Sequence, residues 1–185
     1  MDKNTFGKIK GKDINMKEWI RDIAIALVIA IAIMQFIKPT IVKESSMQPT
    51  LYENNYLFLS KQAYTLFGEP ERGDIIVFHS SLETADGKEK LLIKRIIGLP
   101  GDVISILDGQ VYLNGELYQE DYTLEGYTTG YVEELTVPEG QLFCMGDNRT
   151  VSIDSRDERI GCVSEESIVG KAIIRLFPFN QICLL

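Results

Sequence analysis

With 185 residues, of which 45% are hydrophobic and 25% charged, the chain is long enough for one folded domain with an appendage, and gross disorder is excluded. The formal net charge is −8, yet residues 1–22 carry six Lys or Arg against four acids, so the rest of the chain is strongly acidic. An acidic body offers no basic stripe for phosphates, which excludes nucleic acid as a partner.

An apolar run covers residues 23–37, with Gln35 as its only polar side chain. A membrane span takes about 20 residues, so the run is short, but Trp19 and Lys38 beside it are residue types that anchor a helix at the membrane interface. A cleaved signal peptide would need a small-x-small site after the run, and none is present. We therefore predict an uncleaved transmembrane signal-anchor helix at residues 23–37; a buried core helix is the alternative.

The charges around this run predict the orientation of the chain. Basic residues concentrate on the N-terminal side, which is the side that stays in the cytoplasm. We expect a cytoplasmic basic tail at residues 1–22 and an extracytoplasmic domain at residues 38–185. The predicted location is the cell membrane, crossed once, with membrane lipid as a partner.

Beyond residue 37 the sequence changes to short β-type runs separated by Gly, Pro and Asp. This pattern predicts a mostly-β domain of antiparallel sheets or partial barrels. Residues 79–90 and 116–136 are polar or acidic, and we expect them to be excursions from the sheets. The predicted strands lie in residues 56–59, 74–78, 91–99, 103–107, 111–115, 142–145 and 168–177.

A candidate nucleophile lies in residues 42–51, VKESSMQPTL, directly after the apolar run. Pro49 restricts the conformation of the residue before it, so the segment is predicted to be a rigid turn that holds its serines in place. A serine hydroxyl is a weak nucleophile by itself and needs a base within hydrogen-bonding distance.

Two residues are candidates for that base. His79 is the first, because Ser-His-Asp is the common arrangement, although a lone histidine is often incidental. Lys94 is the second: on a strand its own face would carry Leu92 and Ile96, while Arg95 would face the other way. Burial among apolar neighbours lowers the pKa of a lysine and lets it act as a base. The alternative is a lysine that extends from a half-buried strand to solvent.

Residues 146–156, GDNRTVSIDSR, place two acids, two arginines and two serines in eleven positions. Such a loop is typical of a salt-bridged support for a site; a solvated turn or a calcium loop are the alternatives, although embedded arginines disfavour calcium. Cysteines 144, 162 and 183 and the single histidine lack the spacing of a metal site, so no metal or other cofactor is expected. A bridge between Cys144 and Cys162 stays open.

Four motifs occur in order behind a single N-terminal anchor: VxxxSMxPTL, RGDIIVF, KRIIGLPGD and GDNRxxSxDSR. In this order they resemble the bacterial type I signal peptidases with a single anchor, from about residue 38 to residue 179. The resemblance implies a membrane-anchored serine endopeptidase with a Ser/Lys dyad. Its partners would be the signal peptides of secreted pre-proteins, which it would remove after a small-x-small motif outside the membrane.

The resemblance also implies roles for individual residues. Ser46, the serine immediately before Met47, would be the nucleophile in preference to Ser45, and Lys94 would be the general base. Ser152 would orient the lysine amine through a hydrogen bond. Four residues would support the site through ion pairs: Asp147, Arg149, Asp154 and Arg156. Exposed apolar residues near the serine are expected to dip the site into the membrane surface: Met47, Leu51 and residues 177–179.

Glu44 departs from the family pattern, which has glycine or serine two residues before the nucleophile. A carboxylate opposes a developing oxyanion, because both are negative. Glu44 either points to solvent or pairs with Lys43 or an arginine, or it marks an unusual substrate range or reduced activity. The alternative function is therefore a non-catalytic or substrate-specialised relative that acts as a membrane-bound binding or assembly factor. A self-cleaving Ser/Lys protease of the repressor kind is disfavoured, because the N-terminus is an apolar anchor.

Overall fold

The computed structural model describes residues 16–66 and 68–185, and the chain divides into two compact units after Gln35. The described part of the first unit lies in helix α1 (Met16–Phe36), which has 21 residues, of which none is buried. At about 1.5 Å per residue it extends roughly 30 Å, the thickness of the hydrocarbon core of a bilayer. The helix α1 is long and apolar enough to cross a membrane.

The helix is longer than the predicted span at residues 23–37. It begins seven residues earlier, at Met16, and so includes the last part of the predicted basic tail at residues 1–22. The first fifteen residues of that tail lie outside the described residues. The helix ends at Phe36, because Pro39 drives the preceding Lys38 to an extended conformation and the chain enters a strand at Ile37.

The second unit is built of antiparallel β-strands. Within the described residues there are twelve: β1 (Ile37–Ile41), β2 (Tyr56–Ser60), β3 (Ile75–Glu83), β4 (Glu89–Gly98), β5 (Val103–Leu107), β6 (Gln110–Leu113), β7 (Glu116–Leu117), β8 (Val132–Thr136), β9 (Gln141–Met145), β10 (Val163–Ser164), β11 (Ile168–Phe177) and β12 (Cys183–Leu184).

The strands form two sheets. The larger has the order β1-β2-β11-β3-β4-β9-β10, with β12 paired to β11, and the smaller has the order β7-β6-β5-β8. The register places Lys94 of β4 opposite Ile76 of β3, and Arg95 opposite Met145 of β9. The mostly-β, antiparallel architecture behind one N-terminal helix confirms the predicted fold class.

All seven predicted β runs contain a strand. The predicted excursions are partly wrong. The β3–β4 hairpin continues through residues 79–83 and 89–90, where His79, Ser81, Glu83 and Glu89 occupy exposed positions and Ser80 is buried. The segment 116–136 contains β7 and β8, which form the two edges of the smaller sheet.

The core of the larger sheet takes in the turn that carries the serines. Met47 and Leu51 are fully buried in it, together with Leu57 and Leu59 of β2. The expectation that Met47 and Leu51 contact the membrane surface is therefore wrong, because both side chains are packed in the core and hold the serine turn against it. Phe177 and Phe179, by contrast, are 41% and 79% exposed. The three cysteines are unpaired, which leaves no Cys144–Cys162 bridge.

Candidate active site

The serine turn is a single turn of 3-10 helix, Ser45–Met47, between two extended residues. Glu44 precedes it at φ −128° and ψ 161°, and Gln48 follows at φ −67° and ψ 142°. The Leu51 N–H donates to the Met47 carbonyl at 2.8 Å, and both side chains lie in the core. Ser46 is thus held at the surface of the core by apolar anchors on its C-terminal side, which gives the rigid turn that the proline predicted.

Lys94 lies in the interior of β4, on the face that also carries Leu92 and Ile96. All three side chains are buried, with Lys94 only 1% exposed, which confirms the predicted face and rules out a lysine that extends to solvent. Its Nζ donates a hydrogen bond to Ser46 Oγ at 2.6 Å. The structure therefore joins the two residues that the sequence proposed as nucleophile and base.

The electrostatic environment favours a neutral amine at Lys94. Burial is the main cause, and it lowers the pKa from 10.5 to about 8. Two carboxylates act in the opposite direction, Asp154 more than Glu44, while Lys90 and Arg156 lower the pKa further. Roughly a tenth of Lys94 is consequently unprotonated at pH 7, far more than of an exposed lysine.

The other candidate base, His79, contacts Glu89 and not Ser46. His79 lies on β3 with its side chain 51% exposed, and its Nδ1 is 2.8 Å from Glu89 Oε2. Lys94 occupies the hydrogen-bonding position at Ser46 instead.

The loop after β9 packs against the serine turn. The Asn148 N–H donates to the Ser46 carbonyl at 3.0 Å, and the Asn148 side-chain amide donates to the Ser45 carbonyl at 3.3 Å. Gly146 lies so close that a Cβ there would collide with the Ser46 carbonyl oxygen and with Ser152 Oγ. The two segments are therefore in contact through backbone atoms, without intervening side chains at Gly146.

Each of the four charged residues of this loop forms an ion pair. Asp154 accepts from Arg156 Nε at 2.8 Å and also from the Gly146 N–H at 2.9 Å. Burial opposes the ionised form of Asp154, but the hydrogen bonds and charge of Arg156 outweigh it, so the pKa of this carboxyl is lowered. Asp154 and Arg156 are thus partners of each other within the loop.

The other two pair with residues that sequence reasoning missed. Asp147 receives a bidentate pair from Arg95, with distances of 2.9 and 2.7 Å. Arg149 donates to Glu120 at 2.5 Å, and neither side chain is more than 8% exposed. A role for Arg95 could have been predicted from the sequence. Alternation on β4 places Arg95 on the face away from Lys94, and a guanidinium that is partly buried there requires an acidic partner. Glu120 lies in the polar segment 116–136 and gave no such signal.

Ser152 is brought to the site without a hydrogen bond to the lysine. Its Oγ is buried, and among the described residues it has no partner of good hydrogen-bonding geometry, although the Asp154 carboxylate is nearby. A hydroxyl that is buried and unpaired beside the dyad is free to turn towards an amine or a substrate group.

Glu44 makes an ion pair with a cation that was not anticipated. Its Oε1 lies 2.5 Å from Lys90 Nζ on β4. Both residues line a cleft of about 870 Å³ that also reaches Ser46. Residues 39–44 line this cleft from one side and residues 88–93 from the other, and most of its exposed lining is apolar.

The comparisons with known proteins point in one direction. The family described as "Signal peptidase, peptidase S26" matches residues 16–177. Signal peptidase I of Bacillus licheniformis is 37% identical over 187 residues, covering 95% of this chain and 96% of the relative. Signal peptidase I T of Bacillus subtilis is 35% identical, covering 96% of this chain and 94% of the relative. A crystal structure of a signal peptidase I from Enterococcus faecalis is 34% identical, with a TM-score of 0.44, covering 56% of this chain and 96% of that one.

Proposed function

The chain belongs to the type I signal peptidases, serine peptidases that remove signal peptides, and we propose that its catalytic groups are Ser46 as nucleophile and Lys94 as general base. The observation that carries this proposal is the 2.6 Å contact between Lys94 Nζ and Ser46 Oγ. A nucleophile and base within hydrogen-bonding distance, with the base desolvated, is the arrangement that activates a hydroxyl.

In the proposed reaction, neutral Lys94 takes the Ser46 proton while Oγ attacks the carbonyl carbon of the −1 residue of a pre-protein. The tetrahedral intermediate carries an oxyanion. The Ser46 N–H is one donor for it, since the first N–H groups of a helical turn lack partners within the turn. The ammonium of Lys94 then protonates the leaving amine, the C–N bond breaks, and an acyl-enzyme remains on Ser46.

Deacylation uses the same two groups, with water in place of Ser46 as the nucleophile and Ser46 Oγ as the leaving group. The amine of Lys94, neutral again after protonating the leaving group, accepts a proton from a water that attacks the acyl carbon. The ester bond to Oγ breaks, Oγ recovers a proton from Lys94, and the new carboxylate leaves. One residue therefore serves as base and acid in both halves of the reaction.

Substrate is proposed to bind as an extended strand in the cleft of residues 39–44 and 88–93. Among the described strands, β9 pairs only with the second half of β4, from Arg95 to Gly98, so Leu92 and Ile93 have one edge that an added strand can use. The apolar side chains of this lining, such as Leu92 and Ile93, fit small residues at −1 and −3 of a small-x-small motif.

The remaining site residues are proposed to act through the dyad. Ser152, with its unpaired buried hydroxyl, would orient the Lys94 amine. The loop that carries Ser152 would be fixed by four charged residues: Asp147, Arg149, Asp154 and Arg156.

The proposed function also assigns a role to each part of the chain. Residues 1–22 would be a cytoplasmic tail and residues 23–37, within α1, a membrane anchor. Residues 38–185 would be an extracytoplasmic catalytic domain in contact with membrane lipid.

The test is cleavage of a pre-protein with Ala at −1 and −3 by the detergent-solubilised full chain, beside Ser46→Ala and Lys94→Ala. Each variant is expected to lose activity by at least about 10³-fold, because both steps need both groups. Arg159→Met is the control, since it removes a largely exposed cation that does not line the cleft. Activity retained in either Ala variant would exclude the proposed dyad.

A further inference from the structure

An ion pair joins the two segments that line the cleft beside Ser46. Glu44 comes from the segment before the serine turn and Lys90 from β4, and their Oε1 and Nζ atoms are 2.5 Å apart. The side chains are 46% and 30% exposed, respectively, and both line the cleft that reaches Ser46. The contact therefore lies across the space that an extended substrate has to enter.

The pair is close to the catalytic groups. Glu44 is two residues before Ser46, and because the intervening Ser45 is in the 3-10 turn, the two Cα atoms are closer than the roughly 7 Å of a fully extended chain. Lys90 lies four residues before Lys94 on the same face of β4, about 13 Å along the strand, and its own long side chain covers part of that distance. Measured along an extended chain, the pair is within about two to four residues of the scissile bond.

Most of the other charged residues of the lining are already paired; the exception is Lys43, which lies beside Glu44 in the chain and has no ion pair among the described residues. Two of the other charged residues, Asp86 and Lys88, pair with each other, and Glu89 pairs with His79. Two apolar residues of the lining, Leu92 and Ile93, lie on β4 between Lys90 and Lys94. Glu44 and Lys90 are thus the oppositely charged pair that an entering substrate side chain meets, with Lys43 as a further cation of the same cleft.

We propose that Glu44 and Lys90 are specificity-determining residues that together select pre-proteins with an uncharged residue at the position lying between them. The inference rests on the proposed function, because it assigns a role in the same cleft. A partly exposed pair contributes little to stability, so an entering neutral chain can displace it. A charged substrate side chain meets one like charge and must compete with an existing partner for the other.

The proposal makes a reciprocal prediction for the two single variants. Glu44→Gln leaves Lys90 without its counter-charge, so the cleft should then prefer an acidic side chain at that position. Lys90→Met leaves Glu44 alone and should create the opposite preference. The exchange E44K/K90E restores a neutral pair and should restore the preference for an uncharged residue.

The experiment uses the detergent-solubilised full chain and peptides with Ala at −1 and −3. A single Asp or Lys is placed in turn at each other position near the scissile bond, and kcat/KM is measured for every peptide. At one position, the unmutated protein should cleave the uncharged parent faster than both charged peptides. There, Glu44→Gln should favour Asp over Lys by roughly fivefold or more, and Lys90→Met should favour Lys over Asp to a similar extent.

Asp157→Asn and Arg159→Met are the matched controls, because they break a surface ion pair of the same kind that does not line the cleft. Both should keep the preference of the unmutated protein. Cleavage of the uncharged parent with no change of charge preference in E44Q and K90M would overturn the inference and leave the proposed function standing. No cleavage of the parent by the unmutated protein would overturn the proposed function as well.

Discussion

Lys94 Nζ lies 2.6 Å from Ser46 Oγ, although the two residues are 48 positions apart in the sequence. One side chain projects from the interior of a central strand, and the other is on a turn whose neighbours Met47 and Leu51 are packed in the core. Neither element depends on a substrate to hold this geometry. The amine and the hydroxyl are therefore placed for proton transfer before anything binds.

The pH dependence of activity should report the pKa of Lys94. Burial lowers that pKa to about 8, and only the neutral amine accepts a proton. We expect kcat/KM to rise about tenfold per pH unit below the pKa and to level off above it, with roughly a tenth of the amine neutral at pH 7. The measurement is kcat/KM for one peptide across the neutral and alkaline range. A profile that falls through pH 8 would contradict a lysine base.

The same burial should make Lys94 costly for stability. The folded pKa is about 8 and the unfolded value 10.5, so between these pH values the unfolded chain binds more protons and stability rises with pH. Below pH 8 the full cost applies, about 3 kcal/mol from the shift. Lys94→Met keeps the volume and removes the charge, but it also loses the hydrogen bond to Ser46, worth about 1 kcal/mol.

We therefore expect Lys94→Met to raise the free energy of unfolding by about 2 kcal/mol below pH 8, with the gain shrinking as the pH rises towards 10.5. Urea unfolding followed by circular dichroism at several pH values measures this. Lys88→Met, which removes an exposed lysine, should show no such pH-dependent gain. A Lys94→Met variant that is less stable at every pH would show that burying the charged amine costs less free energy than the lowered pKa indicates.

Much of the arrangement around Ser46 and Lys94 followed from local sequence. Alternation along residues 91–99 was enough to place Lys94 on the same face as Leu92 and Ile96, because successive side chains of a strand point to opposite faces of the sheet. Pro49 predicted a rigid turn around the serines. What local pattern could not provide was the distance between Ser46 and Lys94, which depends on the pairing of β3 with β4 and on the packing of the turn.

The charged partners across the fold were harder to predict. Polar residues in segments 79–90 and 116–136 indicated loops, yet exposed edge and hairpin strands carry polar side chains for the same reason. Glu120 illustrates the difficulty: its role is defined by Arg149, which is 29 residues away and completely buried. The sequence likewise identified Glu44 as a departure from the family pattern, but its pairing with Lys90 depends on the folding that brings the two sides of the cleft together.

Gly146 should tolerate no side chain. A Cβ there would overlap the Ser46 carbonyl oxygen, a backbone atom that cannot move aside, as well as Ser152 Oγ. Gly146→Ala should push the loop away from the serine turn, and a displacement of about 1 Å at a catalytic group can cost roughly 10²-fold in rate. We expect a loss of that order in kcat, with a smaller change in KM. Activity close to that of the unmutated protein would show that the loop can shift without disturbing the dyad.

Asp154 should be required for the stability of the loop that packs on the dyad. Its buried carboxylate accepts from Arg156 and from the Gly146 N–H, and Arg156 is only 8% exposed. Asp154→Asn removes the counter-charge of a buried guanidinium, which we expect to lower the free energy of unfolding by roughly 3 kcal/mol and to reduce cleavage.

A matched control lies three residues farther along the chain. Asp157 pairs with Arg159 in a similar way, but at the surface, so Asp157→Asn should change neither stability nor cleavage appreciably. Unfolding curves and kcat/KM are compared for the two variants. Equal effects of Asp154→Asn and Asp157→Asn would show that burial of the Asp154–Arg156 pair does not set its contribution, and that the loop is held by its backbone contacts to the serine turn.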